Sequence, residues 1–354
     1  MNRQAYSVFA CMIAVACLIQ FNGCEPGADQ NYNANNYNAN NNGNKSNGNN
    51  SSQPVQPGQL ISARASASRT HGLPARTPQT ILIASFNIQT FGKKKMEDAW
   101  ILERIISVIR QFDVVAIQEV RAEDQTTIPR LVQYINSQGA RYDYLIGPRL
   151  GRSVSKEQYT YIYDTSTVVS SMDAMYTIED NADLLHREPL VARFVTRVPP
   201  NFRPFSFTLV NIHTDPDEVK DELPVMHTVL KGIREFEYVS AREDDVILMG
   251  DLNANPQQFG PLRQVPGIYW TVDSEPTNTI RKSIWDNIIF DRGLTNEFTG
   301  RSGVLDLCEM FNIKLEEALR ISDHLPIWAE FSSVEQTPTA NAQFVDRNQN
   351  AARR

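Results

Sequence analysis

Eight residues able to bind a cation or move a proton fall where apolar runs begin or end. Asn87 follows "IASF", Glu119 follows "VVAIQ", His213 follows "LVNI", and Asp251 and Asn253 close "ILMGDLN". Asp286 precedes "NIIF", and Asp323 with His324 precedes "LPIWAEF". Any one of them alone is a turn former or a satisfied terminal group. Together they comprise only Asp, Asn, Glu and His, which is the composition of a reaction centre. Carboxylate and amide oxygens suit a hard divalent cation such as Mg2+. Two histidines in that company suit proton transfer rather than zinc binding.

The elements that must position these groups are legible as buried runs bounded by polar turns. "ILIASFNI", "VVAIQEV", "YTYIYD", "LVARFVTR", "FSFTLVNIH", "VILMGDLNA", "DNIIF" and "PIWAEF" read as strands. Ile101, Ile105, Val108, Ile109 and Phe112 fall at helical spacing, as do Val219, Leu223, Met226, Leu230 and Ile233. So many strands in one core, with helices between them, predict an α+β architecture of two sheets packed face to face and helices outside.

The flanks differ from this core. Residues 1–24 open with one positive charge, continue as "SVFACMIAVACLIQF" and end in "NGC", which reads as an export signal too short for a comfortable membrane span. Gly23–Cys24 suggests lipid attachment at Cys24, as in bacterial lipoproteins; plain secretion is the alternative, because Phe21 and Asn22 fit such a processing site poorly. Residues 25–79 are Asn-rich and lack aliphatic clusters, so they are expected to be a disordered tether, and residues 334–354 an equally unstructured tail. One domain remains, residues 80–333. Beyond Cys11, Cys17 and Cys24 the only cysteine is Cys308, which excludes an internal disulfide and a thiolate metal site in the domain. A net charge of −7 argues against a broad basic surface, so a polyanion would have to be met locally.

The motifs "FNIQTFG", "IQEVR", "LGRSVSKEQYTYIYD", "HREPLVARF", "NIHTDP", "LMGDLNA", "WDNIIF" and "ISDHLP" occur in an order that resembles the endonuclease/exonuclease/phosphatase superfamily, specifically its deoxyribonuclease I-like branch. "GDLN", "QE" and "SDHLP" mark the superfamily, whereas "KEQYTYIYD" and "REP" mark the branch. The resemblance implies a four-layer αββα sandwich and a phosphodiesterase site. It implies that Glu119 and Asn87 hold Mg2+, with Mn2+ as an alternative, and that Asp251, Asn253 and Asp323 complete the metal and phosphate environment. His213 and His324 would be the acid–base pair, oriented by Glu157 and Asp286 respectively. The cation, Asn253 and Arg187 would stabilise the charge of the transition state.

The remaining candidates concern substrate and stability. Arg121, Arg152 and the lysine run Lys93, Lys94 and Lys95 would contact phosphates. Deoxyribonuclease I relatives insert an arginine into the minor groove where this chain has Gln89, and stack a tyrosine on a sugar where it has Ser155; the family's disulfide cysteines are absent as well. His71, His186 and His227 take structural readings. "EDNAD", residues 179–183, has the composition of a structural Ca2+ loop or of a solvated turn. The expected function is a monomeric, exported, Mg2+-dependent, non-specific DNA endonuclease, membrane-tethered if Cys24 is lipidated, with no protein partner implied. The alternatives are a phosphodiesterase for lipid head groups, like the sphingomyelinase branch, and a non-catalytic DNA-binding surface protein.

Overall fold

A computed structural model describes residues 19–23, 72–152 and 156–336. Two sheets stack face to face. The first contains β1 (Ile19–Gly23), β7 (Met175–Asp180), β8 (Leu190–Thr196), β9 (Ser206–His213), β10 (Val246–Asp251), β12 (Asp286–Asp291) and β11 (Ile268–Trp270) in that spatial order, with β6 (Val168–Val169) paired to β8. The second runs β13 (Phe298–Val304), β14 (Ile327–Ser332), β2 (Thr80–Phe91), β3 (Val114–Val120), β5 (Gln158–Asp164) and β4 (Tyr142–Ile146).

Period-two alternation decides which side chains meet between the sheets. In β9 and β10, Val210, Ile212, Val246 and Leu248 face outward, under Leu223, Met226, Leu230 and Ile233 of α4 (Val219–Ala241). Their neighbours Phe207, Leu209, Ile247 and Met249 face the other sheet. Continued along each strand, the inward series ends at His213 and Asp251, with Asn211 the one polar residue before them. The outer face of the second sheet is covered by α2 (Ala99–Ile109) and α3 (Thr127–Asn136), whose Ile101, Leu102, Ile105, Ile128 and Leu131 are buried. Asp98 caps α2 by accepting from the Trp100 and Ile101 amides, at 3.0 and 3.1 Å. Three shorter helices, α1 (Lys93–Glu97), α5 (Leu307–Phe311) and α6 (Leu315–Ile321), complete the four layers.

Polar ties cross the sandwich. Tyr161 of β5 donates to the Leu190 and Leu209 carbonyls at 2.7 and 3.0 Å, and Gln118 of β3 donates to Asn211 of β9 at 2.6 Å. These buried polar pairs span the two sheets, which penalises any other docking of the two.

Two expected boundaries move. Leu73 is buried, and Arg76 bonds both Asp113 and Asp164, so residues 72–79 belong to the packed domain rather than to the tether. At the other end Val334 bridges to Pro204, and the Glu335 amide donates to the Arg203 carbonyl at 3.1 Å. Ile19–Gly23, inside the segment read as a leader, pairs antiparallel with β7; Cys24, His71 and Ser155 lie outside the described residues. Among the described residues no helix is long and apolar enough to cross a membrane.

Candidate active site

Every strand that delivers a site residue does so at the same end of the sandwich. β9 and β10 are parallel neighbours in register His213 to Asp251, and β12 runs antiparallel to β10 with Asp286 opposite Asp251. The approach of β10 to β9 requires glycine just before Asp251. Gly250 has φ +143°, and a Cβ there would lie 1.9 Å from the Ile212 carbonyl oxygen.

On the facing sheet the ladders between β2, β3 and β5 slip near Gln118 and Glu119, and Glu119 takes φ +60°. A regular strand would send Gln118 and Glu119 to opposite faces. The irregularity re-aims Glu119 toward Asn87, whose Nδ2 donates to Glu119 Oε1 at 3.3 Å and to Asp251 Oδ2 at 3.0 Å. The Thr90 amide donates to Glu119 Oε2 at 2.7 Å, and Arg121 pairs with the same oxygen at 2.9 Å.

Two histidine–carboxylate pairs occupy the middle. His213 Nδ1 lies 2.7 Å from Glu157 Oε1, and His324 Nδ1 lies 2.9 Å from Asp286 Oδ2. Their Nε2 atoms both turn to Asp251 Oδ2, at 3.5 and 3.4 Å, so the two nitrogens are less than 7 Å apart. Burial opposes charging of both rings, but the carboxylates outweigh it. Glu157 and Asp251 push His213 up to about 9, and Asp286 and Asp251 push His324 up to about 10. Burial raises Asp251, while His213, Arg187 and Arg121 overcome burial at Glu157 and hold it low.

Several supporting residues were not singled out in the sequence. The Tyr159 hydroxyl accepts from the His213 amide at 2.9 Å, fixing the backbone under the ring. Thr277 donates to Asp286 Oδ2 at 2.7 Å, and the Trp285 ring packs 5.2 Å from His324. The available signals were the inward-facing tyrosines of "YTYIY" and an aromatic beside Asp286. Asn253, at φ +49°, donates from its amide to Asp251 at 2.9 Å and from Nδ2 to the Thr214 carbonyl at 2.8 Å. Arg187 is buried beside Glu157 and Asp215, both at 3.5 Å, and donates to the His213 carbonyl.

Of the cation ligands expected from the sequence, two offer open oxygens, while both Glu119 oxygens already face donors from Asn87, Thr90 and Arg121. Asn87 Oδ1 and Asp323 Oδ1 are buried oxygens with no hydrogen-bond donor, as a hard cation requires of its ligands. Asp251, Asp286 and His324 also form a tight cluster, but each pair of them is joined through an imidazole nitrogen, the arrangement of a proton relay.

The substrate-contact candidates divide. Lys93 and Lys94 are exposed, and Arg121 stands at the rim by Glu119. Lys95 is half-buried and donates to the Gln89 and Ile321 carbonyls; burial draws it down to about 8, so it pins the end of β2 to the end of α6 instead of reaching into solvent. Arg152 is engaged by Asp183 and Glu218. His186 is buried with Nδ1 3.2 Å from Glu218, and His227 sits on α4 against the Pro224 carbonyl. Within residues 179–183, Asp180 accepts from the Leu185 amide and Asp183 holds Arg152; these carboxylates are not among the groups close enough together to share an ion.

A sandwich of two sheets with paired imidazoles and a hard-oxygen cluster at one end defines a hydrolase of phosphodiester bonds. Residues 84–324 match the model of the Endonuclease/Exonuclease/phosphatase family. The chain belongs to that family, on its deoxyribonuclease I-like branch. It is similar to Deoxyribonuclease gamma of Rattus norvegicus, with 30% identity over 268 residues covering 70% of this chain and 83% of the relative. Deoxyribonuclease-1-like 1 of Mus musculus is also 30% identical, over 262 residues covering 71% and 80%. Among solved structures, the human Nocturnin catalytic domain with bound sulfate aligns at TM-score 0.49 and 15% identity, covering 72% of this chain and 94% of that one.

Proposed function

We propose that the chain is an exported, Mg2+-dependent, non-specific DNA endonuclease in which His213 and His324 act as an acid–base pair. The observation that carries this reading is the convergence of two carboxylate-held imidazoles on one oxygen of Asp251. Both Nε2 atoms face the same oxygen, so a single phosphate group can hydrogen-bond to the two rings together. His213, which Glu157 keeps protonated, gives a proton to the leaving oxygen, and His324, once it has shed its own proton, takes one from the attacking water. Glu157 and Asp286 keep each Nδ1–H oriented, so that Nε2 alone faces the reaction. Asn253 and Arg187 meet the negative charge that develops on the phosphoryl oxygens. Mg2+, or Mn2+ in its place, held by Glu119, Asn87 and Asp323, would polarise the phosphodiester and offset that charge.

DNA is the substrate favoured by the relatives' names, and exposed Lys93 and Lys94 with Arg121 supply contacts that read backbone rather than sequence. The apolar leader and Gly23–Cys24 favour export, with a lipid anchor at Cys24. The test is a panel of supercoiled plasmid and sphingomyelin, each with Mg2+ and with excess chelator. Nicking that requires Mg2+ supports the reading; undiminished nicking in chelator, or turnover of sphingomyelin alone, overturns it.

A further inference from the structure

At the end of the sandwich opposite the histidines, carboxylates from both sheets converge under buried strands. Glu243, Asp244 and Asp245 lead into β10, Glu297 leads into β13, and Glu335 follows β14. Asp245, Glu297 and Glu335 each offer an oxygen within 4.8 Å of the others, as do Glu243, Asp244 and Asp245. Asp245 and Glu297 are each 2% exposed.

The donors that reach this foot of the molecule go elsewhere. The Asp245 amide donates to Glu243 Oε1 at 2.9 Å, Ser206 donates to Glu243 Oε2 at 2.5 Å, and the Gln336 amide donates to Glu297 Oε1 at 2.6 Å. Asp245 Oδ1 and Glu297 Oε2 are left buried without a hydrogen bond. Two unpaired buried carboxylate oxygens from different sheets are costly unless a proton or a cation lies between them.

We propose that this foot is a second divalent-cation site, structural and of the Ca2+ class, formed by Asp245, Glu297 and Glu335 with Glu243 and Asp244 beside it. The ligands are all oxygen, which selects a hard ion. Carboxylates reaching in from separate strands of two sheets suit the flexible, oxygen-rich coordination of Ca2+ better than the strict octahedron that Mg2+ demands. Burial and the neighbouring carboxylates push Glu243 and Glu297 up to about 7 and hold Asp245 well above the usual carboxylate range. The cationic groups facing the cluster are Arg203, which acts on Asp244 and Glu335, and Arg234, which acts on Asp244 and is itself held by Asp291 at 2.9 Å. An ion binding here displaces protons, so its affinity rises with pH. It would clamp β10 to β13 and β14, one sheet to the other.

The proposal is independent of the reaction assigned above and is tested without it. Full-length chain is stripped with chelator and dialysed, and its Tm is followed with added Ca2+ at pH 7.5. A hundredfold excess over Kd should raise Tm by about 5–10 °C. Glu119→Gln should keep that rise, whereas Asp245→Asn with Glu297→Gln should lose it. Glu335→Gln, at a half-buried position, provides a milder variant with a weakened rise if the double variant does not fold. Calorimetry in two buffers should record protons released, and affinity at pH 5.5 at least tenfold weaker. An equal Ca2+ response in wild type and in the Glu335→Gln or double variant overturns the site. So does an absent response in wild type with a double variant more stable than wild type in chelator, the signature of carboxyls that share protons instead.

Discussion

Glu157→Gln isolates the charge behind the proposed acid. Glutamine keeps the size of the side chain and an oxygen 2.7 Å from His213 Nδ1, and removes the negative charge. The rise of His213 from 6.5 to about 9, achieved against full burial, corresponds to roughly 3 kcal/mol in favour of the imidazolium. Without Glu157, burial and Arg187 both press the other way, so the ring should fall below 6.5 despite Asp251. At pH 8 the protonated fraction would drop from about 90% to about 3% or less, costing about thirtyfold in kcat from population alone. At pH 5.5 most rings are protonated in either protein, and the deficit should shrink to a few-fold. The assay is initial-rate plasmid nicking from pH 5 to 9.5 in saturating Mg2+. The alkaline limb should move acidward by two units or more. A variant profile parallel to wild type refutes the argument, and a gain at neutral pH would make His213 the base. Stability provides a sign check. A folded value above the unfolded one makes the pair's contribution complete below 6.5 and lost as pH rises through 9, so the Tm gap between the proteins should close above pH 9.

His324→Ala should lower kcat by about 10²–10⁴-fold with KM nearly unchanged, read from steady-state nicking. Glu119→Gln should raise the Mg2+ concentration needed for half-maximal rate by about tenfold or more while urea unfolding moves little. Replacing Lys93 and Lys94 by alanine should raise KM for DNA and flatten the slope of log affinity against log salt by about two; Lys95→Ala should instead lower stability, because its donors serve two backbone carbonyls. Gly250→Ala should cost about 3 kcal/mol or more in urea unfolding, since its Cβ would meet the Ile212 carbonyl of the next strand.

All eight apolar runs read as strands are strands, because residues buried on both faces leave an unmistakable signature. The strands that escaped are of another kind. β4 "YDYLI" is an edge strand carrying an exposed Asp143, β11 is three residues long, and β13 "FTGRSGV" contains two glycines and an arginine. Their pairing is imposed by neighbours, so no local pattern announces it. Site residues at strand ends were legible for the same reason as the strands. The lysine run was not, because consecutive helical positions turn by about 100° and one of three must face inward; the sequence does not say which, and Lys95 does. The acidic foot was equally hidden, since Asp245, Glu297 and Glu335 are far apart in the chain and meet only when the sheets dock.

The order of strands in the second sheet has a consequence in time. β14, the last strand among the described residues, lies between β13 and β2 rather than at an edge, and it brings Asp323 and His324 with it. Until β14 has paired, the second sheet has a gap between β13 and β2, the site lacks Asp323, and His213 has no partner across Asp251. The two imidazoles therefore cannot face each other before the second sheet has closed around β14, whatever else of the fold has formed.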